Sequence, residues 1–173
     1  CYAMSNDKVI ATFDTGHFHP TEMVSAKLSA MLAFKDKLLL HVSRPIRWDS
    51  DHVVAFDDET RTIMEELVRM DALGRVYIAT DYFDASINRV VAWVVGARNT
   101  RKALLAALLQ PVDKMKAMEA AGDLSSRLAY TQEFRAAPFS LVWDYYCARE
   151  NAGAGLSWLD EVKKYEADVL LKR

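Results

Sequence analysis

The chain has 173 residues, 51% hydrophobic and 27% charged, the balance of one folded domain or a piece of a larger one rather than of a disordered or fibrous segment. Its net charge of -2 leaves no basic footprint for nucleic acid or an anionic membrane, and no apolar run reaches the length of a membrane span. Two cysteines, Cys1 and Cys147, without CxxC or zinc-knuckle spacing argue against a disulfide framework and fit a cytoplasmic setting. No signal-peptide pattern precedes the first strand, yet the chain opens without an initiator Met and is inside strand-like sequence by Lys8, so it reads as a fragment.

Lys8-Val9-Ile10-Ala11-Thr12-Phe13 is short, β-branched and apolar on both faces, which predicts a buried parallel strand. Thr21 and Glu22 open a helix to about Phe34, with Met23, Ala26, Leu28, Ala30 and Met31 as its apolar face. Leu38-Leu39-Leu40-His41-Val42 is the second strand. Asp57 and Asp58 cap a helix in which Ile63, Leu67 and Met70 recur at helical spacing, and Gly74 turns the chain into a third strand, Val76-Tyr77-Ile78-Ala79-Thr80. This alternation predicts a parallel sheet with helices packed outside it, an α/β fold whose chemistry gathers at the C-terminal ends of the strands. A long apolar helix follows from Ser86 to about Leu109. Beyond it, Pro111, Gly122, Pro138 and Gly153-Ala154-Gly155 punctuate a helical tail whose aromatics, among them Trp143, Tyr145 and Trp158, suit packing.

Three strand ends carry acids and imidazoles: Asp14 with His17 and His19, His41 with Asp49 and Asp51 downstream, and Asp81. A mixed Asp and His set without thiolate points to Mn, Zn, Co or Mg rather than to iron–sulfur or structural zinc. Each residue also has a plainer reading. Asp14 and Asp81 suit a cap or turn, Asp49 and Asp51 a loop paired with Arg44 and Arg47, and His17 and His19 a turn beside Pro20. His41 follows three leucines, where burial without a partner is costly, and that favours a ligand role.

The strings Asp14-Thr15-Gly16-His17-Phe18-His19-Pro20-Thr21-Glu22, His41-Val42-Ser43-Arg44-Pro45-Ile46-Arg47-Trp48-Asp49-Ser50-Asp51-His52, Phe83-Asp84-Ala85-Ser86-Ile87-Asn88-Arg89 and Trp143-Asp144-Tyr145-Tyr146-Cys147 resemble the bacterial L-rhamnose isomerases, and the likeness covers essentially the whole chain. The resemblance implies the C-terminal part of a (β/α)8 TIM barrel related to xylose isomerase. Residues 1–110 would hold the last three of eight strands and the metal-ligand loops, and residues 111–173 a helical C-terminal extension for packing or oligomerisation. It implies a cytoplasmic homotetramer in rhamnose catabolism that interconverts L-rhamnose and L-rhamnulose with Mn2+, with Zn2+ or Co2+ as substitutes.

Carried onto this chain, the catalytic ion takes His17, Asp49 and Asp51, while Asp14 bridges toward a structural ion held with His41 and Asp81. The structural ion also requires a Glu from a strand that this chain does not contain. The implied chemistry is a metal-assisted hydride shift between C1 and C2, with His19 and Arg44 as supporting groups. The isolated chain is expected to bind one divalent ion weakly, to turn over no sugar and to associate through its open sheet edge. Two other readings stay open: another sugar isomerase or epimerase of the same barrel family, and a non-catalytic metal-binding fragment.

Overall fold

Three short runs of β-branched and apolar residues build a parallel sheet in the computed structural model, which describes residues 2–47 and 50–173. The strands are β1 (Ala11–Asp14), β2 (Leu38–Val42) and β3 (Val76–Thr80), in that order across the sheet. Ala11 pairs with Leu38 and Leu38 with Val76, so Asp14 stands beside His41 and His41 beside Ala79. Successive side chains in a strand point to opposite faces, and this register therefore sorts the residues into two sets. Ala11, Phe13, Leu38, Leu40, Val42 and Val76 are buried in one core. Thr12, Asp14, Leu39, His41, Tyr77 and Ala79 take the other face, where Tyr77 is 51% exposed.

Helices cover the first face. α1 (Ser25–Phe34) links β1 to β2 and α2 (Asp58–Arg69) links β2 to β3. With α3 (Arg89–Leu108) they supply Leu28, Leu32, Ile63, Met64, Leu67, Ala103 and Ala107 to the core. α4 (Val112–Ala120), α5 (Leu124–Arg135), α6 (Phe139–Arg149) and α7 (Ser157–Asp168) complete seven α-helices among the described residues. The chain is thus a mixed α/β protein with a small parallel sheet. The expectation that the first strand is buried on both faces is corrected, because Thr12 on the second face is exposed, as is Tyr77 of β3.

The limits of β2 and β3 fall where the sequence predicts them, and those of three other elements do not. β1 starts at Ala11 rather than Lys8: Asn6 captures the N–H groups of Lys8 through its side chain and Val9 through its carbonyl, and the partner strand begins only at Leu38. α1 starts at Ser25 rather than at Thr21 and Glu22. The Ser25 N–H and Oγ both donate to the Glu59 carboxylate of α2, at 2.8 and 3.1 Å, so a residue 34 positions away terminates the helix. Its buried stripe is accordingly Val24, Leu28 and Leu32, while Met23 lies 52% exposed and Ala26 and Ala30 face solvent. α3 begins at Arg89, since Asp84 engages Ser86 in a turn and Asn88 caps the helix by accepting from Val90 and Val91 N–H.

The tail is docked by cations. Arg135 reaches Glu65 and Thr62 of α2 at 2.9 and 3.0 Å. Arg98 of α3 donates to the Gly153 and Gly155 carbonyls and lies over the rings of Trp143 and Trp158. Trp143 and Cys147 are buried, whereas Tyr145 is 70% exposed, so only part of the aromatic set packs as the sequence suggests.

Candidate metal centre

Asp14 ends β1 on the uncovered face, and the register places it against His41. Asp81 follows β3 by one residue and by alternation takes the same side. A single 3-10 turn, Thr15–His17, swings His17 back over Asp14. Asp14 Oδ1 accepts the Gly16 N–H at 2.9 Å, which leaves Oδ2 lying 3.4 Å from His41 Nδ1 and 3.8 Å from His17 Nε2. Asp81 Oδ2 is 3.5 Å from His41 Nδ1, and Asp51 Oδ2 is 3.8 Å from His17 Nε2. Two groups of three result, Asp14-His17-Asp51 and Asp14-His41-Asp81, and in each the donor atoms lie within 4.8 Å of one another. Asp14 belongs to both.

These separations suit a cation better than they suit direct pairing. Donors each about 2.1 Å from one ion stand about 3.0 Å apart at a right angle and about 4.2 Å apart when opposite. The four His–Asp distances, 3.4 to 3.8 Å, fall inside that range and beyond a good hydrogen bond. Carboxylate oxygen with imidazole nitrogen is also a donor set that divalent first-row metals accept. The side chains of Asp14, Asp51 and His41 are 12%, 27% and 29% exposed and His17 is 57% exposed, so the cluster is anchored inside and open outside.

Residues the sequence reading passed over hold this arrangement. Thr15 Oγ1 accepts the Ser43 N–H at 2.8 Å and donates to the Ser43 carbonyl at 2.7 Å, clasping the loop after β2 to the loop after β1. Ser43 Oγ in turn donates to Asp51 Oδ1 at 3.0 Å. Ser50 N–H donates to the Gly16 carbonyl at 3.0 Å, and the Ser50 hydroxyl accepts the Ile46 and Arg47 N–H groups and donates to the Arg47 carbonyl. Thr15 and Ser43 lie 28 residues apart in sequence and no motif spacing announces their pairing. Gly16 alone carried a signal, as a glycine between two candidate ligands.

Of the residues expected at the site, the structure brings Asp14, His17, His41, Asp51 and Asp81 together, while Asp49 lies outside the described residues. His19 is exposed and bonds Thr21 at 2.7 Å, away from both groups. Arg44 is bridged through its backbone to His52, and among the described residues neither Arg44 nor Arg47 forms an ion pair with Asp51. Asp84 belongs to a turn: the Ser86 hydroxyl and N–H on its carboxylate hold it below the usual carboxylate range.

The fold and site define a parallel α/β protein with two carboxylate–imidazole groups sharing one aspartate at the strand ends. A model of the L-rhamnose isomerase (RhaA) family matches residues 1–173. The L-rhamnose isomerase of Salmonella newport (strain SL254) is 53% identical over 172 residues, covering 99% of this chain and 41% of the relative. That of Mannheimia succiniciproducens is 54% identical with the same coverage. The chain belongs to the L-rhamnose isomerase family and spans 41% of the length of these relatives.

Proposed function

We propose that this chain carries the divalent-metal centre of an L-rhamnose isomerase and that its three strands are part of a (β/α)8 barrel completed by the remaining length of the relatives. The observation that carries this reading is the shared Asp14, with His and Asp donors on either side at separations suited to two neighbouring ions. Asp14, His41 and Asp81 would hold the structural ion, and His17 and Asp51, with Asp49, the catalytic one. Manganese fits this donor set, as do zinc and cobalt. Bound there, a pair of divalent ions supplies polarisation of the oxygens on C1 and C2 of an open-chain sugar.

The residues' own work is to leave room. Asp14 and Asp51 each present one oxygen, because the other is taken by a protein donor, and the exposed edge of His17 keeps the cluster accessible to solvent and sugar. Aldose–ketose isomerisation moves a hydride between C2 and C1 and a proton between O2 and O1, which oxidises C2 as it reduces C1. Carboxylates near those oxygens can keep the proton in the site. Residues 111–173 would serve packing and tetramer assembly, and the whole protein would act in the cytoplasm on L-rhamnose and L-rhamnulose.

The test has two arms. Calorimetric titration of the purified chain with Mn2+ is expected to show binding that an Asp49→Ala/Asp51→Ala variant weakens, with no sugar turnover by either. A chimera in which this chain replaces the matching 172 residues of the Salmonella newport relative is expected to form rhamnulose in a Mn2+-dependent way. A folded chimera that isomerises a different sugar of a panel would move the assignment to another isomerase. A folded chimera without activity on any sugar would favour a non-catalytic role.

A further inference from the structure

In each half-buried carboxylate of the cluster one oxygen is already occupied by the protein. Asp14 Oδ1 accepts from the Gly16 N–H and Asp51 Oδ1 from the Ser43 hydroxyl, so the two Oδ2 atoms are the ones turned toward His17. The terminal torsion of an aspartate is broad and nearly two-fold. Holding one oxygen removes that freedom and directs the other.

Ser43 can do this because it is itself fixed. It is 4% exposed, its N–H donates to Thr15 Oγ1, and its carbonyl accepts from the same hydroxyl. Gly16 forms the floor beneath the pair. A Cβ at position 16 would overlap Asp51 Oδ1 and Ser43 Oγ and would lie 2.9 Å from the Ser50 carbonyl oxygen, a backbone atom tied in place because Ser50 N–H donates to Gly16. The side chains could rotate away, but only by surrendering the geometry they now hold.

We infer that Ser43 and Gly16 are positioning residues for Asp51: the Ser43 hydroxyl sets the carboxylate's rotation, and the missing side chain at Gly16 gives it the space to sit there. The inference rests on the divalent-metal reading above and adds two residues that do not themselves face His17 across the cluster. Groups that orient metal ligands typically change affinity about 10- to 100-fold when removed, without being ligands.

The experiment compares the unaltered chain with Ser43→Ala, Gly16→Ala and Asp51→Ala. Mn2+ affinity is read by calorimetry, Co2+ coordination by visible absorption, and integrity of the metal-free fold by thermal melting. Ser43→Ala and Gly16→Ala are each expected to weaken Mn2+ at least about 10-fold and to change the Co2+ band shape. Ser43→Ala should lower its metal-free melting temperature by no more than about 2–4 °C, the loss of one hydrogen bond, and keep a cooperative transition, which separates positioning from general destabilisation. Ser43→Ala binding Mn2+ like the unaltered chain, while Asp51→Ala does not, would overturn the inference and leave the metal reading intact. Absence of Mn2+ binding by the unaltered chain would overturn the metal reading and the inference with it.

Discussion

Replacing Asp14 with Asn should reverse the stability order of the two proteins when metal is added. Asn keeps an Oδ1 that accepts the Gly16 N–H, so the turn after β1 survives, but Oδ2 gives way to an uncharged amide. Without metal, the shared carboxylate stands close to Asp51 on one side and Asp81 on the other, in groups whose donors lie within 4.8 Å. At that separation like charges repel by about 1 kcal/mol in water-like surroundings and about 3.5 kcal/mol at an effective dielectric of about 20. Asp81 is 59% exposed and screened by solvent, so it adds little, and for Asp51 at 27% exposed the lower figure applies, about 1 kcal/mol in all. The metal-free Asp14→Asn variant should then melt about 2–4 °C above the unaltered chain. Mn2+ at about 100 times its dissociation constant stabilises a protein that binds it by about 2.7 kcal/mol. For a chain of this size that is a rise of about 5–11 °C. The unaltered chain should show this rise and the variant should not, so the curves cross in a fluorescence-monitored melt with and without Mn2+. A variant that keeps the Mn2+-dependent rise, or that melts several degrees low without metal, would refute the shared-ligand reasoning.

Thr15→Val deletes the hydroxyl that serves both the N–H and the carbonyl of Ser43, and denaturant titration should show a loss of about 1–3 kcal/mol that Thr15→Ser restores. Gly96→Ala ought to gain helix propensity, yet a Cβ there would overlap the Tyr82 ring, so a net loss of about 1–3 kcal/mol is expected in the same assay. Burial pushes the Tyr82 phenol up from its ordinary value, so the folded state holds its proton to higher pH than the unfolded state does. That contribution is complete below the unfolded value of about 10 and is lost as pH rises beyond it. Tyr82→Phe should therefore give a shallower alkaline decline in melting temperature, at the cost of about 1 kcal/mol at neutral pH for its bond to the Trp93 carbonyl. An equally steep alkaline decline in the variant would show that another group controls it.

Elements whose limits are set by their own residues were legible in the sequence. β2 is a leucine-rich apolar run and β3 carries the β-branched Val76, Ile78 and Thr80, and Asp57 caps α2 by accepting from the Thr60 N–H, as a helix-start signal should. What escaped was set by distant partners. Glu59 decides where α1 begins, and Asn6 delays β1 through local hydrogen bonds that compete with the ladder. The site divides in the same way. Asp14, His17, His41, Asp51 and Asp81 could be named as candidates because carboxylates and imidazoles gather at strand ends, although their division between two ions came only from the family resemblance. Thr15 and Ser43 could not, since a hydroxyl gains its role only when the fold brings its partner to it.

One register governs both core and cluster. Ala11 opposite Leu38 puts Phe13 and Leu40 into the apolar interior and, by the same step of two, Asp14 and His41 onto the face outside it. A slip of one residue in β1 would bury the Asp14 carboxylate among leucines and expose Phe13, so the hydrophobic pattern excludes the pairings that would turn the donors into the core. The apolar residues thus carry positional information for the polar ones. The loops then need supply only local corrections, and they do so with a turn at Gly16, a clasp at Thr15 and Ser43, and a backbone tie from Phe83 N–H to the Asp51 carbonyl that joins the loop after β3 to the same cluster.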